Sequence, residues 1–168
     1  MAAARFSRRE LAAAFERFEN TVDQSARSRD WNAWVSHYTP DVDYIEHAMG
    51  TMKGRDEVRA WITKTMTSFP GSHMTEFPAL WAVFDEDTGR VICELDNPLR
   101  DPGDGTIISA TNISIITYAG DGLWSRQEDI YNPARFGEAA MRWCKKAQAL
   151  GTLDNEAGAW LNHFGGRA

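Results

Sequence analysis

The feature that most constrains this chain is a pair of alternating runs, residues 106–118 and 123–131, joined through Gly120-Asp121-Gly122. Period-two alternation on both sides of a glycine-rich tight turn predicts a long antiparallel hairpin. The second run passes directly into Asn132-Pro133, a helix start with Asn at the cap and Pro in the first turn. The stretch W-S-R-Q-E-D-I-Y-N-P at 124–133 is therefore the last strand of a sheet and the entry to a helix. Alternation puts Gln127, Asp129 and Tyr131 on one face of that strand, and Glu128 and Ile130 on the other. A one-residue bulge would exchange the two faces.

The first seventy residues read differently. Ser7 and Glu10 have capping-box spacing, and Leu11, Phe15, Phe18 and Val22 follow at helical spacing, which predicts a helix over 7–28. Asp30 can start a short second helix that buries Trp31, Trp34, Val35 and Tyr38 and stops at Pro40. A short strand follows over 41–47, then a turn bracketed by Gly50 and Gly54. Val58, Trp61, Ile62, Thr65, Met66 and Phe69 predict a helix over 55–68 that ends at Pro70-Gly71. Strands follow over 73–85 and 90–97, joined by Asp87-Thr88-Gly89, with Pro78 demoting the first half of the former to an edge or a bulge. After the long hairpin come a helix over 133–150 and a shorter one over 154–164. The last could fold back, dock on a partner chain or fray, and its apolar spacing favours docking.

Helices leading and hairpin-joined strands following predict an α+β fold. The expected form is a curved, cone-shaped, mostly antiparallel sheet packed on the N-terminal helices, with an additional C-terminal helix and a cavity at the open end. One domain spans 1–168, with a core at about 7–135 and a C-terminal helical extension at about 133–164.

The formal charge of -6 and the lack of a basic cluster argue against a nucleic-acid partner. No apolar run approaches the roughly 20 residues of a membrane helix, and the N-terminus lacks the apolar core of a signal peptide. Cys93 and Cys144 lie far apart and outside any C-x-x-C, which suits a cytoplasmic protein with core thiols. The histidines at 37, 47, 73 and 163 show no metal-ligand spacing, and no nucleotide-binding glycine loop or nucleophile elbow is present. The expectation is no cofactor and no metal.

Four strings carry a family resemblance: Y-T-P-D-V-D-Y at 38–44, G-R-D-E-V-R-A-W-I at 54–62, S-F-P-G at 68–71, and Y-A-G-D-G-L-W-S-R-Q-E-D-I-Y-N-P at 118–133. With the order of elements, they resemble the SnoaL-like branch of the nuclear transport factor 2 superfamily. That superfamily includes polyketide cyclases, ketosteroid isomerases, limonene-epoxide hydrolases and proteins without known activity, so the resemblance implies the fold more strongly than the reaction. Matching E-D-I-Y-N at 128–132 to the family's last-strand motif implies a pocket carboxylate at Asp129.

The same resemblance implies further site residues. Asp96 matches the second Asp of the epoxide hydrolases' triad, while Glu94 stands where their arginine should be, which puts triad hydrolysis in doubt. On the first strand, alignment to the isomerases makes His47 the general base. Alignment to the hydrolases instead makes Tyr44 and Glu46 holders of the attacking water. The two alignments choose opposite strand faces. Asn112 and Ser114 stand on the penultimate strand, where the isomerases carry a protonated Asp.

The implied catalytic set is Asp129, His47, Asp96 and Tyr44. Glu46, Glu94, Asn112, Ser114, Gln127 and Tyr131 would contact substrate. The expected function is cofactor-independent acid/base chemistry (cyclisation, isomerisation, dehydration or hydration) on a hydrophobic polyketide-, steroid- or terpenoid-like substrate. The alternative is a non-catalytic binding or dimerisation module. Relatives commonly pair through the open sheet face, so a homodimer is expected.

Overall fold

A computed structural model describes residues 5–165. Helix α1 (Arg8–Ser28) begins where the Ser7 hydroxyl accepts the Glu10 N–H at 3.2 Å, and it ends at Arg29, held left-handed at φ 63°. Helix α2 (Asn32–Val35) is a single turn, introduced by the Asp30 carboxylate accepting the Asn32 N–H at 2.9 Å. Strand β1 (Tyr38–Glu46) starts earlier than alternation suggested: α2 ends at Val35, short of Pro40, and Pro40 lies inside the strand.

Residues read from sequence as a turn form strand β2 (Gly50–Lys53), which pairs antiparallel with β1 and buries Met52. Helix α3 (Gly54–Met66) follows. Strands β3 (Ala79–Asp85), β4 (Arg90–Leu99), β5 (Ile108–Gly120) and β6 (Leu123–Ile130) then run as consecutive antiparallel neighbours. Pro78 has the expected effect: β3 starts just after it and forms one edge of the sheet. Two α1 carboxylates hold the chain there, Asp23 accepting the Phe77 N–H and Glu19 the Ala79 N–H, both at 3.3 Å.

The sheet order is β2-β1-β6-β5-β4-β3. Every pairing is antiparallel except one: β1 lies parallel to β6, with Tyr44 opposite Gln127 and Glu46 opposite Asp129. Register shifts in β1, β3 and at the β5–β6 turn add local twist, so the sheet curls around the helices on its concave side. The fold is α+β, with a mixed, curled, open sheet.

The closed end of the curl is an aromatic cluster. Ring centroids of Trp34, His37, Tyr38 and Trp124 lie 5.8–6.2 Å from that of Phe18, mostly edge to face. Cys93 and Cys144 are buried and unpaired, and burial pushes their thiols up to about 12 and about 11.

Asn132 caps α4 (Pro133–Leu150) as expected, accepting the Ala134 N–H at 3.0 Å. Helix α5 (Asn155–Phe164) folds back on its own chain. Its Glu156 carboxylate accepts the Phe69 N–H at 2.9 Å and the Ser72 hydroxyl at 2.7 Å. Its cap, Asp154, meets His73 Nε2 at 2.7 Å and Arg100 Nη2 at 2.5 Å. Trp143 of α4 stacks its edge on His73 and donates its indole N–H to the Arg100 carbonyl at 2.6 Å.

Two predictions follow from these contacts. Phe18→Ala opens a hole among four rings and should lower unfolding free energy by about 3–5 kcal/mol, read from urea denaturation at constant m-value. The second concerns α5. Burial lowers the proton affinity of His73, overcoming Asp154, which raises it; Arg100 lowers it further and Glu156 raises it slightly. The unfolded chain therefore takes up the proton first. The neutral His73 contributes full stability above about 6.5 and loses it as pH falls below that value. Asp154, held below the usual carboxylate range against its own desolvation by its Ala157 and His73 hydrogen bonds, gives way only in stronger acid. Amide protection in α5, corrected for intrinsic exchange, should be weaker at pH 5 than at pH 7.5. Equal protection would show that His73 does not hold the extension.

Candidate active site

A cavity of about 800 Å³ opens between the concave sheet face and the helices, with Phe18 and Trp34 of the aromatic cluster in its lining. Its floor comes from alternate residues of four strands: Tyr44 and Glu46 of β1, Gln127 and Asp129 of β6, Asn112 of β5, and Leu95 and Asn97 of β4. Trp31, which caps α2, Trp34 of α2, and Trp61 and Ile62 of α3 form the walls. Tyr131, just past β6, and Phe136 of α4 meet at a ring-centroid distance of 4.8 Å near the mouth. This is a mostly apolar pocket with a few convergent polar groups, the usual form of a small-molecule site.

Those polar groups make one chain of hydrogen bonds that converges on Asp129. From one side, Asn97 Nδ2 donates to Asn112 Oδ1 at 2.8 Å, Asn112 Nδ2 to Ser114 Oγ at 2.9 Å, and Ser114 Oγ to Asp129 Oδ1 at 2.5 Å. From the other, the Tyr38 hydroxyl donates to Gln127 Oε1 at 2.5 Å, and Gln127 Nε2 donates to Asp129 Oδ1 at 3.0 Å and to the Tyr44 hydroxyl at 3.2 Å. The Tyr44 hydroxyl closes the chain by donating to Asp129 Oδ2. Three donors on one carboxyl group is an arrangement that favours its charged form.

Burial works the other way and wins. It raises the proton affinity of Asp129 above the usual carboxylate range, the Ser114, Tyr44 and Gln127 hydrogen bonds pull it partly back, and the neighbouring Glu46 charge raises it again. Tyr38 and Tyr44 are driven the same way by burial and then by Asp129, so both stay protonated donors. Tyr131 is also raised, by burial first and then by Glu46. The site thus holds a proton-accepting carboxyl group shifted toward neutrality, framed by neutral hydroxyl donors.

The structure separates the sequence candidates by strand face. Tyr44, Glu46, Asn112, Gln127, Asp129 and Tyr131 all line the cavity, and Ser114 sits fully buried behind Asp129. His47, Asp96 and Glu94 do not. His47 follows the last residue of β1, where the chain turns away, and its Nε2 meets Glu128 Oε1 on the convex side at 2.9 Å with half its side chain exposed. Glu128 also binds Arg126 at 3.0 Å and is held below the usual carboxylate range, by His47 first. This corrects the isomerase alignment that put His47 inside: β1 turns Tyr44 and Glu46 inward instead.

Glu94 and Asp96 do share a face, but it is the outer one, because β4 turns Val91, Cys93 and Asn97 inward. Glu94 accepts the Trp81 indole N–H at 2.6 Å, and Asp96 accepts the Asn97 N–H at 3.0 Å. Neither can orient Asp129.

Two members of the network were not anticipated as site residues. Tyr38 read as part of a helical apolar stripe, and Asn97 as a strand end. The available signal for Asn97 was its even spacing from the inward Cys93. Among the described residues, no three His, Cys, Asp or Glu side chains converge as metal ligands.

Among curated proteins no significant sequence match was found. Solved structures agree in fold. An LEH-like epoxide hydrolase of M. tuberculosis superposes with a TM-score of 0.62 at 12% identity, over 88% of this chain and 96% of that one. A Bacillus subtilis protein provisionally named an isomerase gives 0.60 at 18%, over 78% and 92%. TerC, co-crystallised with polyporic acid, gives 0.57 at 19%, over 77% and 97%. At these identities the likeness is one of fold. The sequence model of the SnoaL-like domain matches residues 9–127, well over half of the protein, and the chain belongs to that family.

Proposed function

We propose that the protein is an enzyme whose own side chains carry out acid/base chemistry on a largely hydrophobic small molecule. The observation that carries this reading is Asp129: a buried carboxyl group on the cavity floor, held by Ser114, Tyr44 and Gln127 and raised in proton affinity. A base shifted toward the working pH is what proton abstraction needs. Oδ1 takes two donors and Oδ2 takes one, which leaves an Oδ2 lone pair to accept a proton from substrate.

In this mechanism Asp129 removes a proton from a carbon or a water molecule and later returns it. Tyr44 stays protonated and shares the charge. The Tyr131 hydroxyl, on the cavity wall, donates to oxygen on which charge develops. Cyclisation, isomerisation, dehydration and hydration all use such a pair. The isomerase and epoxide-hydrolase neighbours, and the polyporic acid bound by TerC, support a ring-bearing, oxygenated substrate of polyketide, steroid or terpenoid type. The unpaired thiols support a cytoplasmic setting.

Asp129 also favours a second reading. A carboxyl group already holding three donors could serve to fix the sheet around a bound ligand that never reacts. The experiment that decides uses isomerisation of hydrophobic β,γ-unsaturated cyclic ketones to their conjugated forms, followed by ultraviolet absorbance. The wild type should accelerate it, with kcat rising as Asp129 deprotonates, above the usual carboxylate range. Asp129→Asn should keep its circular dichroism and lose 10²–10⁴-fold in kcat. Turnover retained in that variant removes Asp129 as base. Binding without turnover, across ketones and epoxides alike, favours the second reading.

We further propose that the chain pairs with a second copy through the convex sheet face. Trp81, Val83 and Ile130 are exposed there, and β-pairing sets Ile92 beside Ile115 and Ile113 beside Ile130. An apolar patch on a sheet face, here flanked by Glu94 and Glu128, favours cover by a like surface. Sedimentation equilibrium should give a dimer for the wild type and a monomer for Ile113→Lys/Ile130→Lys. A monomeric wild type at micromolar concentration would refute the pairing.

A further inference from the structure

Glu46 is the cavity carboxyl group that the network leaves out. It is 3% exposed, yet neither of its carboxylate oxygens has a hydrogen-bond partner among the described residues. It stands opposite Asp129 across the β1–β6 pairing, so two carboxyl groups lie side by side on the floor. Burial and then a loose hydrogen-bond contact with Glu46, together with its charge, raise the proton affinity of the Tyr131 hydroxyl, but that contact does not meet hydrogen-bond geometry at either Glu46 oxygen.

Among the described residues no basic side chain compensates it. His47, the next residue, pairs outward with Glu128, and Lys53 pairs outward with Asp43 at 2.5 Å. Arg55 is spent on main-chain carbonyl groups, donating from Nε to Tyr38 at 2.7 Å. Lys64, the one basic side chain lining the cavity among the described residues, is exposed and makes no ion pair with Glu46. A buried carboxylate left this way is costly unless a partner arrives.

The walls indicate what kind of partner suits it. Tyr44 and Trp61 stand at a ring-centroid distance of 4.8 Å, tilted by 42°, and Tyr131 and Phe136 form a second pair. Aromatic faces beside an unpaired carboxylate match an organic ammonium, which gains from the ring quadrupoles and the full charge together. A neutral hydroxyl or amide could donate to Glu46, but it would leave the acidic floor without a counter-charge.

From these contacts we propose that the cavity binds a hydrophobic molecule bearing a cationic nitrogen, with the nitrogen set on Glu46 and the Trp61 and Tyr131 rings. This rests on the cavity being the substrate site and names the substrate's charged group. It also gives the two carboxyl groups separate work: Glu46 anchors, and Asp129 moves the proton. The anchored cation cancels the Glu46 charge felt by Asp129, which eases the release of its proton.

The test compares two probes of the same shape, benzyltrimethylammonium and its uncharged carbon counterpart neopentylbenzene, by tryptophan fluorescence titration. Wild type should bind the cation at least tenfold more tightly. Glu46→Gln keeps the volume and should abolish that preference while leaving the affinity for neopentylbenzene within about twofold. Trp61→Leu should reduce it several-fold. Asp129→Asn should retain the preference even where turnover is lost, so the anchoring and the chemistry fail independently. Equal affinities in the wild type, no binding of either probe, or a preference that survives Glu46→Gln overturns the proposal. The wild-type comparison stands even if a variant does not fold.

Discussion

The parallel pairing of β1 with β6 is the constraint on which the site depends. Every other neighbour in the sheet is antiparallel, and most are joined by short turns. The β1–β6 pair instead brings together segments more than eighty residues apart, and its register places Tyr44 beside Gln127 and Glu46 beside Asp129. A slip of β1 by one residue would turn Tyr44 and Glu46 out of the cavity and bring Ile45 in, while β5 still holds Gln127 and Asp129 inward. The hydrogen bonds from Tyr38 to Gln127 and from Tyr44 to Asp129 span this same seam, so the polar network also reports its register.

That network resolves a conflict between burial and charge. An isolated carboxyl group at the foot of an apolar cavity would hold its proton strongly. A carboxylate with three donors in water would give it up easily. Asp129 has both environments, and the balance leaves its proton affinity raised. The donors are themselves held by a second layer, Asn112 behind Ser114 and Tyr38 behind Gln127, which keeps each hydrogen atom aimed at one place. Glu46 has no such layer. The contrast between two adjacent carboxyl groups, one fully provided and one left unpaired, underlies the division of labour proposed for them.

The C-terminal helices extend the domain core without entering the polar site. Helix α4 brings Phe136 to the mouth of the cavity, while α5 docks on the 69–73 segment through Glu156 and the cap residue Asp154. A helix cap that also binds His73 and Arg100 ties the end of the chain to the segment after α3. The segment bearing Phe69 and Met74 lines the cavity too, so the ordering of the extension and the shape of the pocket share a wall.

Local chemistry made much of this legible in the sequence. The Ser7 and Asn132 caps, the Pro78 strand edge and the alternation of Gln127 and Asp129 against Glu128 all depend on residues within a few positions of one another. Sequence therefore determined most of the element types, β2 excepted, the α+β class and the grouping of Gln127 with Asp129 on one face of the last strand. It could not determine the inward faces of β1 and β4. Glu94 and Asp96 alternate as convincingly as Cys93 and Asn97, and which pair is buried depends on how β4 meets β5 and on which side the helices lie. His47 and Glu46 posed the same ambiguity, settled by the pairing of β1 with a strand at the other end of the chain. Alternation specifies that two faces exist. Only packing against distant segments decides which face leaves water, and so which carboxyl groups are desolvated.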